Sequence, residues 1–221
     1  IYTLSLHDAL PIYEFSAHAF GTPLITNSDG TKFGKSEGNA IWLDAEMCSP
    51  YRFYQFWLNT DDADVIARIK VFTFLHRDEI ERLEEAVASE PFRREAQRVL
   101  AREVTALVHG DAATDAVIAA SEALFGQGDL ASLDSVTLSA AIEELPKAEL
   151  PSTATVVQAL VDTGLTSSVS EARRAIAQGG VYVNNEKVAD DAATLAGAGL
   201  AGGAVVLRRG KKTLAGVQLT D

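Results

Sequence analysis

Two lysines three positions apart, Lys32 and Lys35, enclose Phe33 and Gly34 and are followed by Ser36. This pattern places two cations and a hydroxyl donor on a backbone kept adaptable by glycine. Such a group suits the charge of a triphosphate, above all the charge that builds up when one phosphorus is attacked. It is not the P-loop, which needs a longer glycine-spaced run ending in Gly-Lys-Ser/Thr. Spacing alone favours a solvated loop with two surface lysines. A second cationic cluster lies near the end of the chain, where Arg208, Arg209, Lys211 and Lys212 surround Gly210. Four cations on a turn could contact phosphates, but they are also a common solubility feature. The adjacent pair Arg173–Arg174 is a third cluster.

The phosphate-type loop follows a short apolar run, Leu24 to Thr26, that is stopped by the turn formers Asn27, Ser28, Asp29 and Gly30. A brief strand is expected at Ile41 to Leu43. From Ser49 the pattern is helical for about a hundred residues, and no run in it alternates strictly with period two. Ser49-Pro50 reads as an N-cap followed by proline at the first helical position. Asp61 and Asp62 open a helix running to about Leu75. The clearest stripe, from Pro91, is Phe92, Ala96, Val99, Leu100, Val104 and Leu107, with Gly110 as the stop. Further helices are expected over Asp115 to Phe125 and Thr137 to Leu145. Leu145-Pro146 to Leu150-Pro151 reads as a linker.

Beyond it the pattern changes. Thr155 to Thr163 reads as a helix ended by Gly164. Ser168-Val-Ser-Glu171 fits a capping box opening a helix that stops at Gly179-Gly180. Val169, Ala172 and Ile176 are its expected buried stripe, flanked by Arg173 and Arg174, which point about 100° apart. Asn184-Asn185 between two short strands suits a tight hairpin, and Ala204 to Leu207 and Thr213 to Leu219 add two strands.

Charge follows the same division. The 221-residue chain has net charge -12, but residues 1–150 hold 12 Lys/Arg against 25 Asp/Glu, whereas residues 151–221 hold 7 against 6. The body is acidic and the tail is near neutral with clustered cations, so partners must be argued for each separately. Apolar residues at 47% are ordinary for a globular chain. One cysteine, Cys48, excludes an internal disulfide framework and fits a reducing cytoplasm, and the thiol lacks the histidine constellation of a nucleophile. No apolar run is long enough to span a bilayer, no secretory leader is legible, and nothing spaces like a metal site. His18 precedes the loop strand and reads as a local hydrogen-bonding residue. His76 and His109 read as helix-ending cations complementing the dipole.

The run GTPLITNSDGTKFGKSEGNAIWLD resembles the signature-loop region of tyrosine–tRNA ligases, class I enzymes whose second motif is written KMSKS and often reads KFGK followed by Ser or Thr. The resemblance continues through SPYRFYQFWLNTDDADV. It implies that Lys32, Phe33, Gly34, Lys35 and Ser36 bind ATP, with Lys32, Lys35 and Ser36 acting in catalysis. Tyrosine carboxylate would attack the α-phosphorus, pyrophosphate would leave, and the adenylate would acylate the tRNA for tyrosine; Mg²⁺ would enter with ATP rather than in a protein cage. The run SSVSEARRAIAQGGVYVNNEKV resembles the S4 RNA-binding domain, which implies RNA contacts from Ser170, Arg173, Arg174, Lys187, Arg208 and Arg209.

The expected fold is α+β and multidomain. Residues 13–44 would be the edge of a Rossmann-like catalytic domain, 45–149 an all-α anticodon-binding domain, and 150–221 a small α+β S4 domain. Ile1 to Ile12 resembles translated sequencing-adapter DNA and is expected to be non-native. The family's tyrosine pocket and HIGH-type motif have no counterpart here, so the chain by itself is expected to be an inactive fragment that still binds tRNA. The family's homodimer, built largely through the same region, is not expected to carry over. Two rival classes remain: a free-standing S4-type RNA-binding protein, which leaves the KFGKS loop unexplained, and a helical scaffold, which leaves both motifs unexplained.

Overall fold

The computed structural model describes residues 21, 24–34, 41–126, 128–210 and 213–220. Residues 1–40 and 41–221 form two units, described separately. In the first, Asn27 to Thr31 form the tip of a small hairpin with an antiparallel bridge between Thr26 and Lys32. Phe33 N–H donates to Ile25 O at 3.1 Å, and Gly30 takes the positive φ of 82° that the turn requires.

The second unit begins with a bundle. Helices α1 (Pro50–Leu58), α2 (Asp62–Phe72), α3 (Arg77–Ser89), α4 (Glu95–His109) and α5 (Asp111–Leu124) follow one another, and α4 packs against the other four. Ser49 Oγ accepts from Arg52 N–H at 3.2 Å, so the expected cap forms and α1 buries Tyr51, Phe53, Tyr54 and Trp57. Arg68 is drawn inward and held by Thr60 Oγ1 at 3.0 Å and Asp64 Oδ2 at 3.2 Å.

The stripe of α4 differs from the expected one. Its buried residues are Ala96, Gln97, Leu100, Ala101, Val104 and Thr105, whereas Phe92 and Leu107 are exposed. Arg94 adopts a left-handed conformation (φ 50°), ending the short 3₁₀ turn Pro91–Arg93 before α4 begins. Phe92 therefore lies off the helix whose period it fits in sequence. The expected strand at residues 41–43 is absent, and Trp42 and Leu43 are exposed. His76 stands before α3 and so starts a helix rather than ending one.

Helix α6 (Ser135–Glu143), capped by Asp134, leads into a five-stranded sheet of order β1-β5-β4-β2-β3. The strands are β1 (Lys147–Leu150), β2 (Val181–Val183), β3 (Glu186–Lys187), β4 (Ala204–Arg209) and β5 (Thr213–Leu219). β1 pairs parallel with β5, and the other pairings are antiparallel. The stretch read as a linker is thus a sheet strand: its two prolines flank residues 147–150 and leave their donors free to pair. Helices α7 (Val156–Asp162) and α8 (Val169–Ala177) cover one face through Val157, Leu160, Ala172 and Ile176, which pack with Val205, Leu207, Ala215 and Val217. Successive side chains of a strand face opposite ways, so the equally buried Val206 and Leu214 face the other side. There α6 lies close against β5, and a Cβ on Gly216 would collide with Ile142 Cγ2. Burial on both faces explains the unbroken apolar run Ala204 to Leu207.

Candidate phosphate loop and nucleic-acid interface

The hairpin tip is tied by its own side chains. Asp29 Oδ1 accepts from Thr31 N–H at 2.9 Å and from Thr31 Oγ1 at 2.6 Å, and the hydroxyl bond foremost holds the Asp29 carboxyl below its ordinary value. Asn27 Nδ2 donates to Thr31 Oγ1 at 2.9 Å. This ordered tip presents Lys32 exposed, followed by half-buried Phe33 and by Gly34 at φ 73°. A cation beside a left-handed glycine on a tied turn is an arrangement that can receive an anion. Lys35 and Ser36 lie outside the described residues, as do His18, Lys211 and Lys212.

In the tail, Ser170, Arg173 and Arg174 stand exposed on α8. Arg173 Nε pairs with Asp191 at 3.3 Å, and Arg174 Nε donates to Ser170 O at 3.4 Å. The helix buries Ala172, Ala175 and Ile176, while Val169 is 42% exposed, because as the first helical residue it lies at the edge of the core. Lys187 folds over Gly179, so its ammonium sits just past the C-terminal end of α8, where a cation complements the dipole. Arg209 is tied internally: it donates to Leu165 O at 2.7 Å and to Glu171 Oε1 at 2.8 Å.

Glu171 departs from the expected capping box. Ser168 Oγ accepts from Glu171 N–H, but the carboxylate turns to Ser167, accepting from its hydroxyl at 2.7 Å and its N–H at 2.8 Å. Those bonds, chiefly the Ser167 hydroxyl, with Arg209 adding to them, hold Glu171 down to about 2.

Arg208 goes elsewhere. Its guanidinium lies 4.0 Å from the ring centroid of Tyr182 and lines an open cleft of about 770 Å³ where the tail meets the bundle. Arg93, Arg94 and Arg98 line the same cleft from the start of α4. Among the described lining residues these four arginines face one carboxylate, Glu122, and Arg93 also pairs with Glu90 at 3.1 Å beside the cleft. Phe92, 79% exposed, and Phe125, 44% exposed, offer ring faces beside them, and Tyr54 forms part of the floor. Burial raises the Tyr54 hydroxyl above its ordinary value. Arg94 is anchored by donating to Leu58 O at 2.6 Å and Thr60 O at 3.2 Å, which sustains its left-handed backbone.

The body's overall acidity conceals this cleft in the sequence. Arg94 and Arg98 at i, i+4 beside Arg93 are the one legible signal; the arrival of Arg208 from 110 residues further along is not legible. Cationic walls beside exposed rings can neutralise phosphates and stack unpaired bases.

Two family models match: tRNA synthetases class I (W and Y) over residues 13–126, and the tyrosine–tRNA ligase SYY-like C-terminal domain over residues 137–216. The chain belongs to the tyrosine–tRNA ligase family. The match over the first stretch is what the free-standing RNA-binding rival cannot accommodate. A protein of Leifsonia xyli named tyrosine–tRNA ligase is 72% identical over 91% of this chain and 46% of its own length. One of Streptomyces coelicolor with the same name is 53% identical over 93% of this chain and 49% of its own. The chain therefore spans about half the length of the curated relatives it matches. A truncated mitochondrial tyrosyl-tRNA synthetase of Aspergillus nidulans is 46% identical over 36% of this chain and 23% of its own, with a TM-score of 0.35. Among the described residues, no helix is long and apolar enough to cross a membrane.

Proposed function

We propose that this chain carries the ATP-phosphate loop and the RNA-facing surfaces of a tyrosine–tRNA ligase, which activates tyrosine with ATP and passes it to the tRNA for tyrosine. The observation that carries the RNA reading is the cleft where Arg93, Arg94 and Arg98 of the bundle meet Arg208 of the tail beside exposed Phe92 and Phe125. In this reading the bundle is the anticodon-binding domain and the tail an S4-type module, with Ser170, Arg173 and Arg174 on a second RNA-facing surface. Unpaired bases stack on the cleft's rings while its guanidinium groups neutralise the backbone. Lys187 and Arg209, tied within the tail, hold that surface in shape.

At the other end, Lys32 and Lys35 contact the ATP phosphates, and Ser36 adds a hydroxyl. Their interaction strengthens as charge gathers on the departing pyrophosphate, which is what accelerates a reaction rather than merely binding its substrate. Mg²⁺ arrives with the nucleotide as part of the substrate. The ordered Asn27–Thr31 tip supports the loop by fixing where Lys32 emerges.

A salt titration of tRNA binding by fluorescence anisotropy tests the RNA reading. Replacing Arg98 with Ala should weaken binding and make the slope of log affinity against log salt shallower by about 0.7–0.9, the share of one phosphate contact. An unchanged affinity and slope with the fold intact would remove the cleft from the RNA surface. For the loop, Lys32→Ala in a chain extended to the relatives' full length should lower the adenylation rate more than it alters tyrosine KM.

A further inference from the structure

The tail meets the bundle at the C-terminal end of α5. The last carbonyls of a helix lack intrahelical partners and carry the negative end of its dipole. At Ala123 one of them, which also accepts from the Gly126 N–H at 3.1 Å, is met from the tail: Asn185 Nδ2 donates to Ala123 O at 2.6 Å. Asn185 sits at φ 68° in the β2–β3 turn, beside Asn184 at φ 47°. The two asparagines divide the work. Asn184 points into the tail, donating to Ala198 O at 2.5 Å and accepting from Val206 N–H at 2.8 Å, while Asn185 points out to the bundle.

Arg208 converges on the same spot. Gly126, two residues past the end of α5, has φ 82°, and a Cβ placed there would lie 3.2 Å from an Arg208 terminal nitrogen and 3.5 Å from Asn185 Oδ1. The glycine thus supplies both the left-handed turn and the space for the guanidinium over the helix end. Donor and cation together form a C-cap delivered from another part of the chain.

We propose that Asn185 is a positioning residue: with Arg208 and Gly126 it latches the tail onto the end of α5, and the latch holds Arg208 in the cleft with Arg93, Arg94 and Arg98. The latch stands on its own geometry; its effect on RNA rests on the reading of the cleft given above. Arginines from the bundle and the tail form one cation group only while the two are docked, so tail orientation sets the affinity of the cleft.

The test is Asn185→Gly in the intact chain. Glycine keeps the positive φ and hence the hairpin, and removes the side chain that donates to Ala123 O; circular dichroism should show the secondary structure unchanged. Hydrogen exchange at the Phe125 and Gly126 amides should then rise roughly tenfold, the scale of one lost hydrogen bond. Small-angle scattering should broaden as the tail swings. Unchanged exchange and scattering would overturn the latch, whatever the RNA result. Where exchange rises, tRNA affinity should fall severalfold in Asn185→Gly but change little when the same substitution is made in an Arg208→Met background. A fall of equal size in both backgrounds would show that Asn185 does not act through Arg208. A chain that opens on substitution but binds no tRNA in either form would leave the latch standing and defeat the reading of the cleft.

Discussion

Arg209 donates to Leu165 O and to the Glu171 carboxylate at once, at 2.7 and 2.8 Å, and so ties the turn between α7 and α8 to the sheet. The arginine pair 173–174 makes lighter contacts and remains exposed. Arg209→Ala should therefore lower the unfolding free energy measured by urea titration, by about 1–3 kcal/mol for hydrogen bonds to a charged group, and bring the midpoint down with it. Arg173→Ala with Arg174→Ala should leave the midpoint almost unmoved but flatten the salt dependence of tRNA binding by about 1–2 in slope. The reverse pattern would exchange the roles assigned to these residues.

Glu171 gives the tie a pH dependence. Its folded-state value of about 2 lies below the ordinary 4.5, so the native state binds its proton less readily than the unfolded chain. The contribution is complete above the ordinary value and is lost as pH falls toward 2. Comparing acid titrations of wild type and Glu171→Gln, the stability difference should be constant near neutrality and should shrink across that window.

His109 should behave as a neutral residue rather than as a cation answering the dipole of α4. Burial lowers its value from the ordinary 6.5, its Nε2 is buried without a hydrogen-bond partner, and its ring meets Phe53 edge-on at 4.9 Å. Protonation then favours the unfolded chain, so stability should fall as pH drops below the ordinary histidine value toward the depressed one. His109→Phe should remove that part of the pH dependence, and the NMR titration midpoint of His109 should lie below 6.5.

Gly216 should tolerate no side chain while Ile142 is present. Gly216→Ala forces α6 off the sheet and should cost about 1–3 kcal/mol, as overpacking does. Combined with Ile142→Ala, which vacates the space, the two losses should be less than additive in a double-mutant cycle. Simple additivity would place α6 elsewhere.

The sequence by itself determined the local pieces. Ser49-Pro50 and Ser168 start helices because a side-chain oxygen can reach an orphan N–H nearby, and Asn184-Asn185 turn a hairpin because asparagine accepts positive φ. Family membership was legible too, since KFGKS and the runs around it are contiguous. Tertiary structure decided whatever depends on residues far apart meeting. Lys147 to Leu150 reads as a linker between prolines until β5 offers it a partner. Phe92 fits the period of α4 until Arg94, held by carbonyls of Leu58 and Thr60, breaks the phase. Arg208 and Arg209 are indistinguishable neighbours in sequence, yet they alternate along β4 and take opposite sides of the sheet. One reaches the cleft and the other the α7–α8 turn, because what stands on each face is set by packing and not by the chain's own neighbours.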